Sequence, residues 1–185
     1  MKSTRFVFGR ALAVLCALLF VSFGFMSCQQ EDDGNELPDG VYELSDNSAL
    51  IGTWVNSYSG GTDVYRITSS TFDNSGTYSY STTSTYNSYA GNNLVVSYTN
   101  DAATSGYIYI KYTRAMNSDY SYSETAPDVG KWYAIAFKEL KASSVSLSGA
   151  YNASGKTSTE TLEEAISTFS IANGYFSYYS ECVKQ

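Results

Sequence analysis

The stretch that decides the fold is Tyr107-Ile108-Tyr109-Ile110-Lys111-Tyr112, in which two sets of side chains alternate. Successive side chains of an extended chain point to opposite faces, so Ile108 and Ile110 would lie on one face and Tyr107 and Tyr109 on the other. Alternation with this period in β-branched and aromatic residues predicts a β-strand.

Similar stretches recur along the chain. Trp132-Tyr133-Ala134-Ile135-Ala136-Phe137 alternates in the same way, and shorter runs lie at 63–68, 94–99, 144–149 and 175–179. Turn-forming residues stand between them at a spacing of about 8–12 residues: Ser59-Gly60-Gly61, Asn74-Ser75-Gly76, Gly91-Asn92-Asn93, Ser105-Gly106 and Gly130. This spacing predicts a mainly β protein with an antiparallel meander, in a barrel or a sandwich.

One segment has the period of a helix instead. Thr161-Leu162-Glu163-Glu164 is a capping box, in which the threonine hydroxyl accepts from a backbone N–H three residues later. Apolar residues follow on one helical stripe as far as Phe169, and Asn173-Gly174 supplies a stop signal. We therefore expect a single helix of about three turns before the last strand.

The N-terminus has the three-part build of an export signal. Lys2, Arg5 and Arg10 precede an apolar run at 11–25, and Met26-Ser27-Cys28 follows it. The run is shorter than the roughly 20 residues of a membrane helix, so a signal peptide over residues 1–27 is favoured over an uncleaved anchor.

Phe25-Met26-Ser27-Cys28 resembles the bacterial lipobox. Ser27 and Cys28 match the motif, whereas Phe25 and Met26 depart from its tight form and are similar to the looser lipoboxes of spirochaete lipoproteins. The resemblance implies that Cys28 becomes the first residue and carries acyl chains such as palmitate. The expected location is then the cell envelope, lipid-anchored at the outer membrane or cell surface.

An acidic segment follows the cysteine. Residues 29–47 contain seven acids and few apolar residues: Glu31, Asp32, Asp33, Glu36, Asp39, Glu43 and Asp46. Such a composition predicts a flexible tether, here residues 28–48, because little surface can be buried to offset the conformational entropy. The folded domain is then expected over residues 49–185.

The start of that domain, Gly52-Thr53-Trp54, resembles the G-x-W motif of lipocalin-like barrels. The resemblance implies a barrel of about eight strands, in which Gly52 and Trp54 form the plug of the closed end and Arg66 or Arg114 packs on the tryptophan. Two features differ from the family. Thr62-Asp63-Val64-Tyr65 is too early to be its T-D-Y motif, and a short strand is expected after the helix.

The residue inventory argues against several function classes. The chain contains no histidine, which excludes Ser-His-Asp catalysis and the commonest metal ligand. No motif for a metal, phosphate or redox cofactor is present, and Cys182 would be the one thiol left in the mature domain. The net charge of −7 argues against nucleic acid. We expect a protein that is not an enzyme and that holds no cofactor or metal.

Two kinds of binding are compatible with these features. A barrel of eight strands has room for one small ligand, and an inward face carrying Trp132, Ala134 and Ala136, with Tyr107 and Tyr109 nearby, would line a site for a hydrophobic or amphipathic molecule. Inward tyrosines that fill the barrel solid are the alternative.

The second kind of binding uses the surface. Residues 117–125 form a tyrosine-rich stretch containing Tyr120 and Tyr122. Tyrosine offers a large, rigid contact area with a polar tip, so this loop is a candidate contact for a host or envelope protein or a glycan. A structural envelope protein with no soluble partner is the remaining possibility.

Overall fold

The computed structural model describes residues 36–79 and 82–185. The predicted signal peptide, the lipidation site Cys28 and the first part of the predicted tether lie outside the described residues.

Within the described residues there are ten strands and one helix. The strands are β1 (Val41–Glu43), β2 (Gly52–Tyr58), β3 (Gly61–Ile67), β4 (Phe72–Ser79), β5 (Thr83–Tyr98), β6 (Gly106–Met116), β7 (Tyr122–Ser123), β8 (Trp132–Lys138), β9 (Ser144–Gly149) and β10 (Ser180–Lys184), and the helix is α1 (Leu162–Thr168).

Eight of these strands form a closed antiparallel barrel. The order β5-β4-β3-β2-β10-β9-β8-β6 is completed by pairing of β5 with β6, so the barrel itself has no free edge. β1 and β7 extend β5 and β6 outside this ring. The predicted fold class, a mainly β meander closed into a lipocalin-like barrel with one short helix before the last strand, is confirmed.

The two stretches with the clearest alternation pair with each other. Ile108 lies opposite Ile135, and Ile110 lies opposite Tyr133. These residues belong to a buried cluster with members from all eight barrel strands, which therefore marks the interior. We call it the inner cluster; its strand residues include Trp54, Tyr65, Ile67, Phe72, Leu94, Val96, Ile108, Ile110, Tyr112, Tyr133, Ile135, Phe137, Val145, Leu147 and Cys182.

The opposite face of β6 and β8 is also buried, beneath the helix. Leu162, Ala165 and Phe169 of the helical segment join Ala134 and Ala136 in a second cluster, which we call the outer cluster. Alanine side chains are small, so the helix approaches the sheet closely. Both faces of these strands are therefore removed from water.

The helix begins as predicted and ends earlier. The hydroxyl of Thr161 accepts from the backbone N–H of Glu164 at 3.2 Å. The helix then spans seven residues, shorter than the three turns expected. The side-chain amide of Asn173 donates to the carbonyls of Ser167 and Thr168 at 3.0 and 2.9 Å, which satisfies orphan acceptors at the helix end.

The predicted tether extends too far into the chain. Val41 and Leu44 are buried, and β1 pairs with β5 through Val41 opposite Ser97. The compact unit starts at Leu37, not at residue 49. Its described acids, Glu36, Asp39, Glu43 and Asp46, are exposed, whereas Val41 and Leu44 join the two clusters. Composition alone does not distinguish these two sets of side chains.

A fragment of residues 49–185 should therefore be less stable than one of residues 37–185. Each of Val41 and Leu44 contributes about 1.5–3 kcal/mol when fully buried, so we expect a loss of about 3 kcal/mol or more in the free energy of unfolding. Denaturant unfolding followed by far-UV circular dichroism measures the difference. Glu43→Ala in the longer fragment, which alters an exposed side chain of β1, should change little; equal stability of the two fragments would contradict the burial assigned here.

Candidate ligand site at the barrel mouth

Trp54, which the resemblance to the G-x-W motif implies as a base plug, lies in the inner cluster near the start of β2, toward one end of the barrel. Its side chain is fully buried, and the indole N–H donates to the carbonyl of Leu50 at 2.7 Å. The ammonium of Lys184 lies 5.0 Å from the centre of the indole ring and donates to the carbonyl of Ala49 at 3.2 Å. The segment preceding β2 and the last strand thus close this end together.

Gly52 makes this arrangement possible. Its φ is +145°, and a Cβ at this position would lie 2.5 Å from the side-chain carbon Cε of Lys184. Glycine therefore leaves the space through which Lys184 reaches across Trp54. Gly52 and Trp54, the two motif residues, therefore both pack against the side chain of Lys184.

The arginines implied as partners of Trp54 lie elsewhere. Arg66 and Arg114 both bind Asp73 on the outer face, with nitrogen–oxygen distances of 3.5 and 2.7 Å. The prediction of an arginine partner is wrong, because Lys184 from the last strand occupies that role.

A layer of aromatic rings fills the middle of the barrel. The rings of Tyr112 and Tyr133 are stacked with centroids 4.7 Å apart, and Tyr89 meets Tyr133 edge to face at 5.2 Å. Phe72 stacks on Tyr89 at 5.7 Å and lies 6.2 Å from Tyr65. Offset-stacked and edge-to-face pairs of this kind are favourable beyond their buried area. We call these five residues the aromatic layer.

Hydroxyl groups of the layer are held by specific acceptors. The hydroxyl of Tyr133 donates to the carbonyl of Ala150 at 3.0 Å, and that of Tyr65 donates to the hydroxyl of Ser180 at 3.0 Å. Gly149 provides the space for the hydroxyls of Tyr133 and Tyr89, because a Cβ there would lie 2.6 Å from the first oxygen and 3.0 Å from the second. The alternative prediction, that inward tyrosines fill the barrel, describes this layer.

The residues predicted to line a ligand site do not face the interior. Ala134, Ala136 and Tyr109 belong to the outer cluster beneath the helix, and Tyr107 and Trp132 pack at its margin. The intervening residues of the same strands belong to the inner cluster. The assignment of this face to the lumen is wrong, because the small alanines receive the helix and leave no space for a ligand.

A polar group of side chains lies beyond the aromatic layer, at the end of the barrel opposite Trp54. Asp63 on β3 accepts a hydrogen bond from the hydroxyl of Tyr86 on β5 and one of 3.4 Å from the amide of Asn56 on β2. Tyr58 and Tyr78 flank this group and remain 46% and 49% exposed. We call these five residues the mouth cluster.

Strand register explains why they meet. Asp63 pairs with Asn56 on one side and with Gly76 on the other, and Gly76 pairs with Tyr86. A Cβ on Gly76 would lie 2.6 Å from the hydroxyl oxygen of Tyr86, so the glycine lets that ring cross β4 and reach the carboxylate. Tyr78 and Tyr86 then lie with ring centroids 6.2 Å apart.

Burial and the charge of Asp63 both raise the pKa values of groups inside the barrel. Burial, and then the hydrogen bond and charge of Asp63, raise the pKa of Tyr86. The same carboxylate adds to the effect of burial on Tyr65 and Tyr89, whose pKa values are also raised. Burial raises the pKa of the Cys182 thiol to about 12, with a further contribution from Asp63, so this cysteine is a protonated core residue.

Sequence reasoning missed the mouth cluster. The signal is the position of Asp63 in the alternating run Asp63-Val64-Tyr65-Arg66-Ile67, on the same face as Tyr65 and Ile67. An acid on the inward face of a strand is uncommon and needs polar partners. Those partners come from β2 and β5, and only the closed barrel brings them within reach.

The tyrosines of the predicted surface loop are exposed to different extents. Tyr120 is 80% exposed and has a φ of +66°. Its backbone N–H donates to the carbonyl of Asn117, and the N–H of Asn117 donates to the carbonyl of Ser121, which holds the turn. Tyr122 lies in β7, and its phenol is close enough to contribute to the raised pKa of Tyr133 after burial. Tyr122 therefore lies near the aromatic layer, whereas Tyr120 is exposed in the turn before β7.

The fold and this site define the class of protein: a closed eight-stranded antiparallel barrel with an aromatic interior and a polar mouth. No protein-family model, no curated protein and no solved structure matches the chain. In the ranges 36–79 and 82–185, no group of three or more histidine, cysteine, aspartate or glutamate side chains is placed to hold a metal ion. The same ranges contain no helix with the length and apolar character needed to cross a membrane.

The aromatic layer should make the fold sensitive to alkali. Burial raises the pKa values of Tyr65, Tyr89, Tyr112 and Tyr133, whereas unfolded tyrosines titrate near pH 10. Above that pH the unfolded state binds fewer protons than the folded state. The contribution of these phenols to the free energy of unfolding is therefore fully present below pH 10. It falls by up to about 1.4 kcal/mol per pH unit for each phenol as the pH rises further.

Denaturant unfolding at pH 8 and pH 11 checks this expectation. Tyr133→Phe should reduce the pH dependence, while Tyr178→Phe, at a site 85% exposed, should leave it unchanged. A free energy of unfolding that is the same at both pH values would contradict the expected effect of the buried phenols.

Proposed function

We propose that this protein is a membrane-anchored binding protein and that the mouth cluster binds a small amphipathic ligand. The observation that carries the proposal is a carboxylate held by Tyr86 and Asn56 beneath two half-exposed tyrosine rings. Concave sites that combine aromatic surface with a few fixed polar groups are typical of small-molecule recognition.

The aromatic layer limits how deep such a ligand enters. The rings of Tyr89, Tyr112 and Tyr133 occupy the middle of the barrel in direct contact with one another. The apolar part of the ligand therefore lies against Tyr58 and Tyr78, and its polar part reaches Asp63 and Asn56. This arrangement favours recognition at the mouth over enclosure of a long apolar chain.

The proposed anchoring rests on the lipobox resemblance of Phe25-Met26-Ser27-Cys28, with its looser, spirochaete-like form. The position of β1 is compatible with it. Val41 pairs with Ser97, near the end of β5 that leads into the loop at the closed end.

Native mass spectrometry tests for ligand binding. Residues 37–185, stripped with organic solvent, should regain a bound mass when incubated with an envelope lipid extract. Replacing both Tyr58 and Tyr78 with alanine should weaken that binding about tenfold or more, because the double variant removes both aromatic walls. Tyr178→Ala, which removes an exposed ring that belongs to neither buried cluster, serves as the matched control.

Two results would count against the mouth as the site. One is that no mass returns with any extract. The other is that the double variant and Tyr178→Ala bind equally well.

Anchoring is tested separately. Cys28→Ser removes the thiol that the lipobox resemblance marks for acylation, so we expect loss of labelling by radioactive palmitate and release from the membrane fraction. Cys16→Ser, within the apolar run, should retain both properties. Membrane association that survives Cys28→Ser without label would instead favour an uncleaved N-terminal anchor.

A surface-interaction function is the second candidate, and the presentation of Tyr120 favours it. Its ring is 80% exposed on a turn that is fixed further by Asp119, which accepts from the backbone and the hydroxyl of Ser121. A rigid, exposed tyrosine is suited to contact with a host or envelope protein or a glycan. Failure of the ligand experiment would favour this function.

A further inference from the structure

Asp63 is the only acid on the inward face of the barrel strands in the described residues. It shares that face with Asn56 and Gly76, its register partners, and with Tyr65. The neighbouring acid Asp73 lies on the outer face, bound to the two arginines. Asp63 is therefore the single negative charge on this inward face of the described strands.

This charge has no cationic partner among residues 36–79 and 82–185. Its hydrogen bonds come from the neutral donors Tyr86 and Asn56. The inward cation, Lys184, donates to the carbonyl of Ala49 and lies over Trp54 at the closed end. A carboxylate has about four acceptor sites, so Asp63 retains capacity to accept from a further donor.

The walls around Asp63 are aromatic faces. Tyr58 and Tyr78 both lie opposite Gly61 in the strand register, one on each side. Two strand spacings of about 4.8 Å separate their backbones, and Gly61 places no side chain between them. Tyr86 supplies a third ring beside Tyr78.

We propose that the mouth cluster binds an organic cation, a ligand whose charged end is an alkylated ammonium group; this inference rests on the proposed binding function of the same site. The electron-rich faces of tyrosine attract such groups, and a carboxylate supplies the opposite charge. After burial, the charge of Asp63 also raises the pKa values of Tyr65, Tyr86 and Tyr89, which agrees with a negative charge beside these rings.

The test compares a charged probe with its neutral isostere. Choline and 3,3-dimethyl-1-butanol have nearly the same shape, and they differ in whether nitrogen or carbon stands at the centre of the head group. We expect the full chain, in non-ionic detergent, to bind choline about tenfold more tightly than the alcohol in ligand-observed NMR titrations. Sodium chloride should weaken binding of choline and leave that of the alcohol unchanged.

Variants assign the preference to residues. Asp63→Asn keeps the shape of the side chain and should abolish the preference for choline. Asp101→Asn, in an exposed turn of the loop between β5 and β6, is the matched control and should retain it. Should Asp63→Asn fail to fold, the salt dependence of choline binding to the unaltered chain still tests whether the ligand's charge contributes to binding.

The outcomes separate this inference from the proposed function. Equal binding of choline and the alcohol, both weakened by replacing Tyr58 and Tyr78 with alanine, would overturn the inference that the ligand is a cation. The mouth would remain a binding site. No binding of choline, together with a ligand mass from the envelope extract that is lost in the tyrosine variant, would lead to the same conclusion. No binding of choline and no ligand mass would overturn both.

Discussion

The structure depends on inward aromatic rings that lie over glycines of neighbouring strands. Gly149 leaves room for the hydroxyls of Tyr133 and Tyr89, Gly76 leaves room for Tyr86, and Gly52 leaves room for Lys184 over Trp54. A barrel of eight strands has an interior only wide enough for side chains to fill or for one small ligand. Rings of this size fit inside it when the position opposite has no Cβ. Gly76 and Gly149 thus pack with Tyr86, Tyr89 and Tyr133 because each glycine leaves the space that a ring hydroxyl occupies.

That packing divides the barrel into two chemically different ends. Below the aromatic layer, Trp54 and Leu50 are fully buried and the interior is apolar. Above the layer, Asp63 accepts hydrogen bonds from Tyr86 and Asn56, and the flanking tyrosines are half exposed. The carboxylate of Asp63 lies on the solvent side of the layer. Its charge still adds to the effect of burial in raising the pKa values of Tyr65 and Tyr89. A polar site at the mouth follows from the way the middle is filled.

The sequence predicted the barrel, because strand alternation, turn spacing and the capping box at Thr161 are local signals. It did not predict which face of β6 and β8 is inward, since the helix buries the outer face and both faces read as apolar. The burial of Val41 in a mostly acidic segment and the replacement of an arginine by Lys184 at Trp54 depend on distant partners. The mouth cluster was missed for the same reason, as its residues come from four strands.

The two inward charges of the described barrel strands, Asp63 and Lys184, have unequal surroundings. Lys184 is matched by the carbonyl of Ala49 and by the indole face of Trp54, so nothing at the closed end calls for a ligand. Asp63 is matched by dipoles alone, and neutral hydrogen bonds stabilise a half-buried carboxylate less than a cation does. A binding protein gains affinity where the free site is polarised in advance and the ligand completes it. That asymmetry is the physical basis for proposing a positively charged ligand at the mouth.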